Sequence, residues 1–204
     1  TGTLTKNFME VQSYSADGKI IESSRLKDIP EKHSDYFGIL KDAICLTTSA
    51  RFENDKEIGS KTELAMIKML LMLGHKDYIN VRQKFISNIL KANPFSSKRN
   101  RNSTIVKYSE DLARIYVIGA PEYLVESSKK ILTLDAALVE VKEDGKSQLK
   151  KDVENMARQG LRTIAIAFKD LTENDMEKLN ELDENGVPVL EKKKLNLIGI
   201  FGIC

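Results

Sequence analysis

The sequence is poor in cysteine. Two residues, Cys45 and Cys204, stand in a chain of 204, too few for a disulfide framework or a four-ligand zinc site. A reducing compartment is the better fit. Long apolar runs are missing too. The longest glycine-free ones, such as Met69–Leu73, have five residues, whereas a helix needs about 20 to span a bilayer. Charge of one sign is also lacking: 32 basic residues face 30 acidic ones, a formal net charge of +2. No global field therefore advertises nucleic acid or an anionic membrane. Glycine and proline number only 11 and 4, and no repeat or low-complexity tract occurs, so the chain is not a string of linkers. No Walker loop, Rossmann fingerprint, G-x-S-x-G or H-E-x-x-H appears. His33 and His75 sit in polar surroundings and read as surface histidines.

What is present, 41% hydrophobic and 30% charged residues, is the composition of a soluble globular protein of one or two domains. The chain starts at Thr1 and ends at the apolar run Gly199–Cys204, which reads as a strand still in progress. The expectation is a segment excised from a longer protein.

Residue patterns predict an α+β fold. Thr3–Tyr14 reads as extended, and Asp17-Gly18 marks a hairpin turn into Lys19–Glu22. Phe37, Leu40 and Ile44 share one helix face. Ser60-Lys61-Thr62-Glu63 matches a capping box before the apolar run Leu64–Leu73, with Gly74 as its stop. Asn93-Pro94-Phe95 reads as a break. Ile105–Tyr108 and Arg114–Ile118 read as a hairpin, and Pro121 suits the first turn of a short helix. Leu149, Val153 and Met156 give another helix closed by Gly160. Leu161–Phe168 is a strand, Glu173–Glu184 an acidic helix capped by Thr172, and Leu195–Phe201 a last strand. Hairpins mixed with separate helices point to a mainly antiparallel sheet.

Four segments can carry chemistry. Hydroxyls and N–H groups of Thr1-Gly2-Thr3-Leu4-Thr5 can cradle phosphate oxygens, though a polar-edged strand explains them as well. Glu63 can accept from an exocyclic amine, but on the residues alone a capping glutamate is the better reading. In Phe95–Arg101 an aromatic face can stack on a base while arginines meet phosphates; a core phenylalanine beside a basic turn is the plainer alternative. Gly119-Ala120-Pro121-Glu122 allows a flat ligand near the backbone, and Arg162 in Gly160–Thr163 offers a forked donor to phosphate. A tight turn and a surface arginine are the plain alternatives. Between Lys91 and Lys107 lie five basic residues and no acid; between Asp170 and Glu184 lie seven acids and one lysine, a solvated helix face.

The order of these segments resembles the nucleotide-binding (N) domain of P-type ATPases, most closely the plasma-membrane calcium-pump branch, over nearly the whole chain. Thr1–Thr5 is similar to the end of the D-K-T-G-T-L-T phosphorylation motif. Lys61–Ala65, with Asp77-Tyr78 and Val81-Arg82, resembles the K-T-E-C-A-L segment and its following helix. Pro94–Arg99 resembles P-F-x-S-x-R-K-x-M, Gly119–Glu122 resembles K-G-A-x-E, and Gly160–Ile164 resembles D-G-L-R-T-I. Leu197–Cys204 looks like the strand before the D-P-x-R hinge.

The resemblance implies a twisted antiparallel sheet of about six strands flanked by helices. It implies a hinge stub over residues 1–10, a nucleotide-binding domain over 11–193 and a return hinge strand over 194–204, with the two ends side by side. Phe95 would stack on adenine and Glu63 contact its amino group. Gly119 and Ala120 would line the pocket floor, Arg162 would reach the phosphates and Arg99 lie close by. Thr1 and Thr3 would belong to the phosphorylation domain, Thr1 near the γ-phosphate and Mg²⁺, with the phosphorylated aspartate two residues upstream of Thr1. Two family lysines are replaced, by Ile118 and Asn100, and the family methionine is Asn102. The implied ligand is ATP with Mg²⁺ in the intact pump. The implied partners are the phosphorylation, actuator and transmembrane domains of one parent chain, on the cytoplasmic side of a membrane, and the ion is calcium. The fragment alone would be inactive. A degenerate domain serving as a regulatory surface is the alternative, supported by the lost lysines. A single-strand nucleic-acid module is a third reading, disfavoured by the small net charge and by only Phe95 and Tyr108 being aromatic in the basic stretch.

Overall fold

The computed structural model describes residues 9–204. Thr1 and Thr3 lie outside the described residues. The elements in chain order are β1 (Val11–Ala16), β2 (Lys19–Ile21), α1 (Ile29–Lys32), α2 (Ser34–Thr47), β3 (Arg51–Glu53), β4 (Lys56–Ile58), α3 (Lys61–Met72), α4 (Tyr78–Phe85) and β5 (Ile89–Ser96). Then come β6 (Arg101–Ser109), β7 (Leu112–Gly119), α5 (Pro121–Ser127), β8 (Ser128–Leu132), β9 (Leu138–Glu140), α6 (Glu143–Arg158), β10 (Arg162–Leu171), α7 (Glu173–Glu177) and β11 (Leu195–Ile203). The fold is α+β, as the residue pattern predicts.

One large sheet organises the molecule, in the order β2-β1-β11-β10-β7-β6-β5, with β8 joined to β11 and β9 to β8. All its pairings are antiparallel except β8 with β11. The sheet thus has nine strands, not about six; the additions are short strands with little alternation to betray them. β3 and β4 form a separate ribbon.

Strand alternation sorts side chains onto two cores. Val106, Tyr116, Ile118, Ile166 and Phe168 face one way and pack with α2, α3 and α4. Their neighbours Ile105, Ile115, Val117, Ala165 and Ala167 face the other way and pack with α5 and α6. β11 lies between both layers and every one of its residues is buried. This explains why its C-terminal part, within Gly199–Cys204, reads as a continuous apolar run rather than an alternating one.

Two turns show why residue types matter. Asp17 and Gly18 both have positive φ, 53° and 67°, the geometry that a two-residue hairpin demands. Asn54 and Asp55 repeat it between β3 and β4, with φ of 49° and 62°. The predicted break at Pro94 does not occur: β5 runs through it with an irregular register between Asn93 and Ser96. β5 is an edge strand, where a missing N–H costs no ladder bond. The acidic helix is shorter than expected and ends at Glu177. The Asp183 carboxylate instead accepts from the backbone N–H groups of Asn185 and Val187, both at 2.9 Å, and so folds a turn. Thr172 caps α7 as expected, in a full capping box with Asp175.

A bulge in β11 depends on one hydroxyl. Ile166 pairs with Gly199 and Ala167 with Leu197, which leaves Ile198 as the extra residue. Its carbonyl accepts from the buried Tyr36 hydroxyl at 2.7 Å. Since that proton is committed, the Tyr14 hydroxyl donates to Tyr36. Tyr14 also stacks on Phe201 at 4.5 Å. Burial pushes the Tyr36 phenol well above its usual pKa, so it stays a donor at any ordinary pH. Tyr36→Phe strands both the Ile198 carbonyl and the Tyr14 hydroxyl, and is expected to cost about 1–3 kcal/mol, read as a lower urea midpoint with unchanged slope.

Candidate functional site

A cavity of about 870 Å³ opens at one end of the sheet, on the side of α2 and α3. That is the size of a small-molecule site. Four parts of the chain build it: the end of α2 with Thr48 and Ser49, the start of α3, the β5–β6 hairpin, and the neighbouring ends of β7 and β10.

The α2 end is fixed by Arg82. Its guanidinium donates to the carbonyls of Cys45 and Ala50 and to the Thr48 hydroxyl, each at 2.8 Å. One planar fork therefore satisfies acceptors left over where a helix stops. Burial lowers the Arg82 pKa and is the largest influence on it. The same burial pushes the Cys45 thiol up to about 12, which leaves it a packing residue rather than a nucleophile. Thr48 returns its own hydroxyl proton to the Ile44 carbonyl at 2.7 Å.

The α3 start supplies Ser60, Thr62 and Glu63. The Ser60 hydroxyl accepts from the Glu63 N–H at 3.2 Å. Only this half of the expected capping box forms; the Glu63 carboxylate lines the cavity instead. Across from it, Arg162 opens β10 and donates to the Thr62 hydroxyl at 3.2 Å. Glu63 and Arg162 are the two charged side chains on the cavity lining among the described residues.

The β5–β6 hairpin supplies the aromatic. Phe95 is 63% exposed although it is a large apolar side chain, and it lines the cavity. Asn100 turns the hairpin with a φ of 52°. Asn102 donates to the Thr47 carbonyl at 3.0 Å, tying β6 to the end of α2, and its own buried Oδ1 has no partner among the described residues. Ile118 pairs with Asn102 across β6 and β7 and presents a buried apolar side chain to the cavity.

Gly119 and Ala120 line the cavity as well. The reason for glycine at 119 lies in the protein rather than in space for a ligand. A Cβ there would stand 2.4 Å from the Asn100 carbonyl oxygen and 2.7 Å from the Arg101 Cα. The hairpin passes directly over the end of β7, and the Ala120 N–H donates to that same Asn100 carbonyl at 2.9 Å.

Glu63, Phe95, Gly119, Ala120 and Arg162, drawn from separate stretches of sequence, share one cavity together with Asn100 and Ile118. Arg99 is placed elsewhere. Its Nη1 donates to both carboxylate oxygens of Glu191, at 2.6 and 2.8 Å, and its Nη2 donates to the Pro94 carbonyl. No local pattern in the sequence marks Glu191 as its partner. His75 packs against the Phe37 ring at 4.5 Å.

Comparison with known proteins bears on this geometry. A family model described as "P-type ATPase, cytoplasmic domain N" matches residues 39–204. Plasma membrane calcium-transporting ATPase 1 of Sus scrofa is 35% identical over 192 residues, covering 87% of this chain and 15% of the relative. The Homo sapiens protein of the same name is 34% identical with the same coverage. Calcium-transporting ATPase PAT1 of Dictyostelium discoideum is 30% identical over 209 residues, with 100% of this chain and 17% of the relative covered. The chain thus spans less than a fifth of the length of the curated relatives it matches.

The close approach at Gly119 is directly testable. Gly119→Ala forces the Asn100–Arg101 backbone outward and is expected to destabilise by about 1–3 kcal/mol. Urea unfolding measures the loss, and amide chemical shifts of residues 100–102 report the displaced hairpin.

Proposed function

The chain belongs to the P-type ATPase cytoplasmic N-domain family, and on that premise we propose that its cavity binds ATP for a cation pump. What supports the reading is an exposed Phe95 on the rim of a cavity that also holds one carboxylate, Glu63, and one guanidinium, Arg162. Phe95 stacks on the adenine, a contact worth about 1–3 kcal/mol per base. The Glu63 carboxylate accepts from the adenine amino group. Gly119 and Ala120 form the floor, and the Arg162 fork meets the phosphates. Arg99, being paired with Glu191, acts behind the wall rather than on the phosphates.

The work of such a domain is positioning. It carries the nucleotide so that its terminal phosphorus meets an aspartate nucleophile in line. In this reading the aspartate belongs to the phosphorylation motif whose end Thr1–Thr5 resembles. Mg²⁺ neutralises phosphate charge in such a transfer; its one suggested neighbour in this chain, Thr1, lies outside the described residues. The names of the relatives favour calcium as the transported ion, and the family description favours the cytoplasmic side of a membrane as the location. Among the described residues no helix is long and apolar enough to cross a membrane. Glu10 and Cys204 exchange two backbone hydrogen bonds, at 2.8 and 3.0 Å, which suits a hinge in which the chain at Glu10 runs beside the end of β11.

Affinity is expected to be modest. Ile118 is apolar and Asn100 neutral where the family carries lysines, and each lost phosphate-facing charge is worth about 0.3–1 kcal/mol when exposed and more when partly desolvated.

Calorimetric titration of the chain tests these roles. Phe95→Ala is expected to weaken ATP and adenosine alike, roughly tenfold, while stability changes by less than about 0.5 kcal/mol because the ring is exposed. Unchanged affinity removes Phe95 from the site. Ile118→Lys is expected to strengthen ATP binding by roughly fivefold without helping adenosine. Equal ATP affinity in the two proteins rejects the charge-loss account. Silence of the parent chain toward ATP and AMP favours a regulatory surface over a nucleotide site.

A further inference from the structure

We infer that Glu191 is a positioning residue for the nucleotide site, holding the β5–β6 hairpin in the conformation that presents Phe95 to the base. The inference rests on the nucleotide-binding reading above. Glu191 ends a short 3₁₀ turn, Val189–Glu191, just before β11. It is fully buried, at 0% exposure, and does not line the cavity.

Its carboxylate is shared among groups from the hairpin. It accepts from Arg99 Nη1 through both oxygens and from the Ser103 hydroxyl at 2.5 Å. Arg101 adds a second guanidinium, with Nε 3.9 Å from the carboxylate and donating to the Arg99 carbonyl at 3.1 Å. The chain of contacts then runs into the site. Arg99 Nη2 donates to the carbonyl of Pro94, the residue before Phe95. The Ser103 hydroxyl, having given its proton to Glu191, accepts from Asn93 at 3.0 Å. Asn93, Pro94 and Ser103 all line the cavity beside Phe95.

Two buried guanidiniums therefore depend on one carboxylate. Burial already lowers the Arg101 pKa, and Glu191 is the main influence opposing that. Without the Glu191 charge, two desolvated cations repel each other beneath the hairpin, and the fork that fixes the Pro94 carbonyl loses its anchor. β5 is an edge strand with an irregular register at this point, so its ladder alone does not hold Phe95 in place.

The test is a double-mutant cycle on the 204-residue chain, read by calorimetric titration with ATP and with adenosine. Glu191→Gln keeps the shape and removes the charge. In the parent chain it is expected to weaken both ligands by the same factor, up to roughly tenfold, the whole stacking contribution. In the Phe95→Ala background it is expected to cause no further loss, a coupling that a merely structural role does not produce. Should Glu191→Gln fail to fold, Arg99→Lys, which keeps the charge and loses the fork to Pro94, carries the same cycle. Additive losses, or a folded Glu191→Gln chain that binds as the parent does, overturn the positioning role and leave the nucleotide reading standing. A parent chain that binds neither ligand overturns both.

Discussion

β11 has protein on both faces and strands on both edges, and the architecture follows from that constraint. A strand with no solvent side is dominated by residues that pack: in β11 Asn196 is the one polar residue, and from Leu197 onward every residue is apolar or glycine. The glycines at 199 and 202 leave room for Tyr14 and Leu161, whose atoms a Cβ would meet at 2.6 and 2.7 Å. The bulge at Ile198 would leave a buried carbonyl unpaired in such a strand, and Tyr36 on α2 supplies the missing donor. Helix and sheet are thereby joined by a polar bond inside an apolar core, which fixes how α2 lies across the strands. The end of α2 in turn forms one wall of the cavity.

The opposite wall is held by charge. The β5–β6 hairpin sits at the sheet edge, where one flank has no ladder, and it carries the exposed ring of Phe95. Side-chain bonds replace the absent strand: Glu191 beneath, Arg99 through the turn, Asn102 across to Thr47. The floor is made by close backbone contact at Gly119. The cavity thus combines a preformed frame with little charge of its own. A site of this kind is suited to positioning a ligand whose reactive end is handled elsewhere, the division of labour proposed for this N domain.

Periodicity and turn chemistry made much of the fold legible. Helices α2, α3 and α6 follow apolar spacing, the Asp17-Gly18 turn follows from residue type, and β11 announces itself by its apolar run from Leu197 onward. The short strands β3, β4, β8 and β9 do not, because their pairing is decided by neighbours rather than by their own alternation. The acidic run after Thr172 misleads because its second half is not helical: α7 ends at Glu177, and Asp183 satisfies backbone donors in a separate turn. Among site residues, the ones that meet at the cavity belong to short motifs whose order is visible. The partnership of Arg99 with Glu191 spans 92 positions, and no local pattern records it. Along the chain Arg99 and Arg101 look like part of a basic surface stretch; in space they are buried around an acid that the linear window never includes.

The ribbon of β3 and β4 rests on α3 and α4, with the Phe52 N–H donating to the Tyr78 hydroxyl at 3.0 Å and Glu57 paired with Lys68 at 2.8 Å, and its two ends meet at Ala50. Arg82 pins the Ala50 carbonyl at its entry, and Gly59 at its exit lies so close to Ala50 that a Cβ would stand 2.8 Å from the Ala50 Cα. Its base is therefore clamped independently of its tip. Lengthening a loop whose ends are already held adds only a slowly growing entropic cost, about 0.6 kcal/mol per doubling. The ribbon is accordingly a place where descent can add or delete residues, and so acquire new contacts, while the cavity next to it stays unaltered.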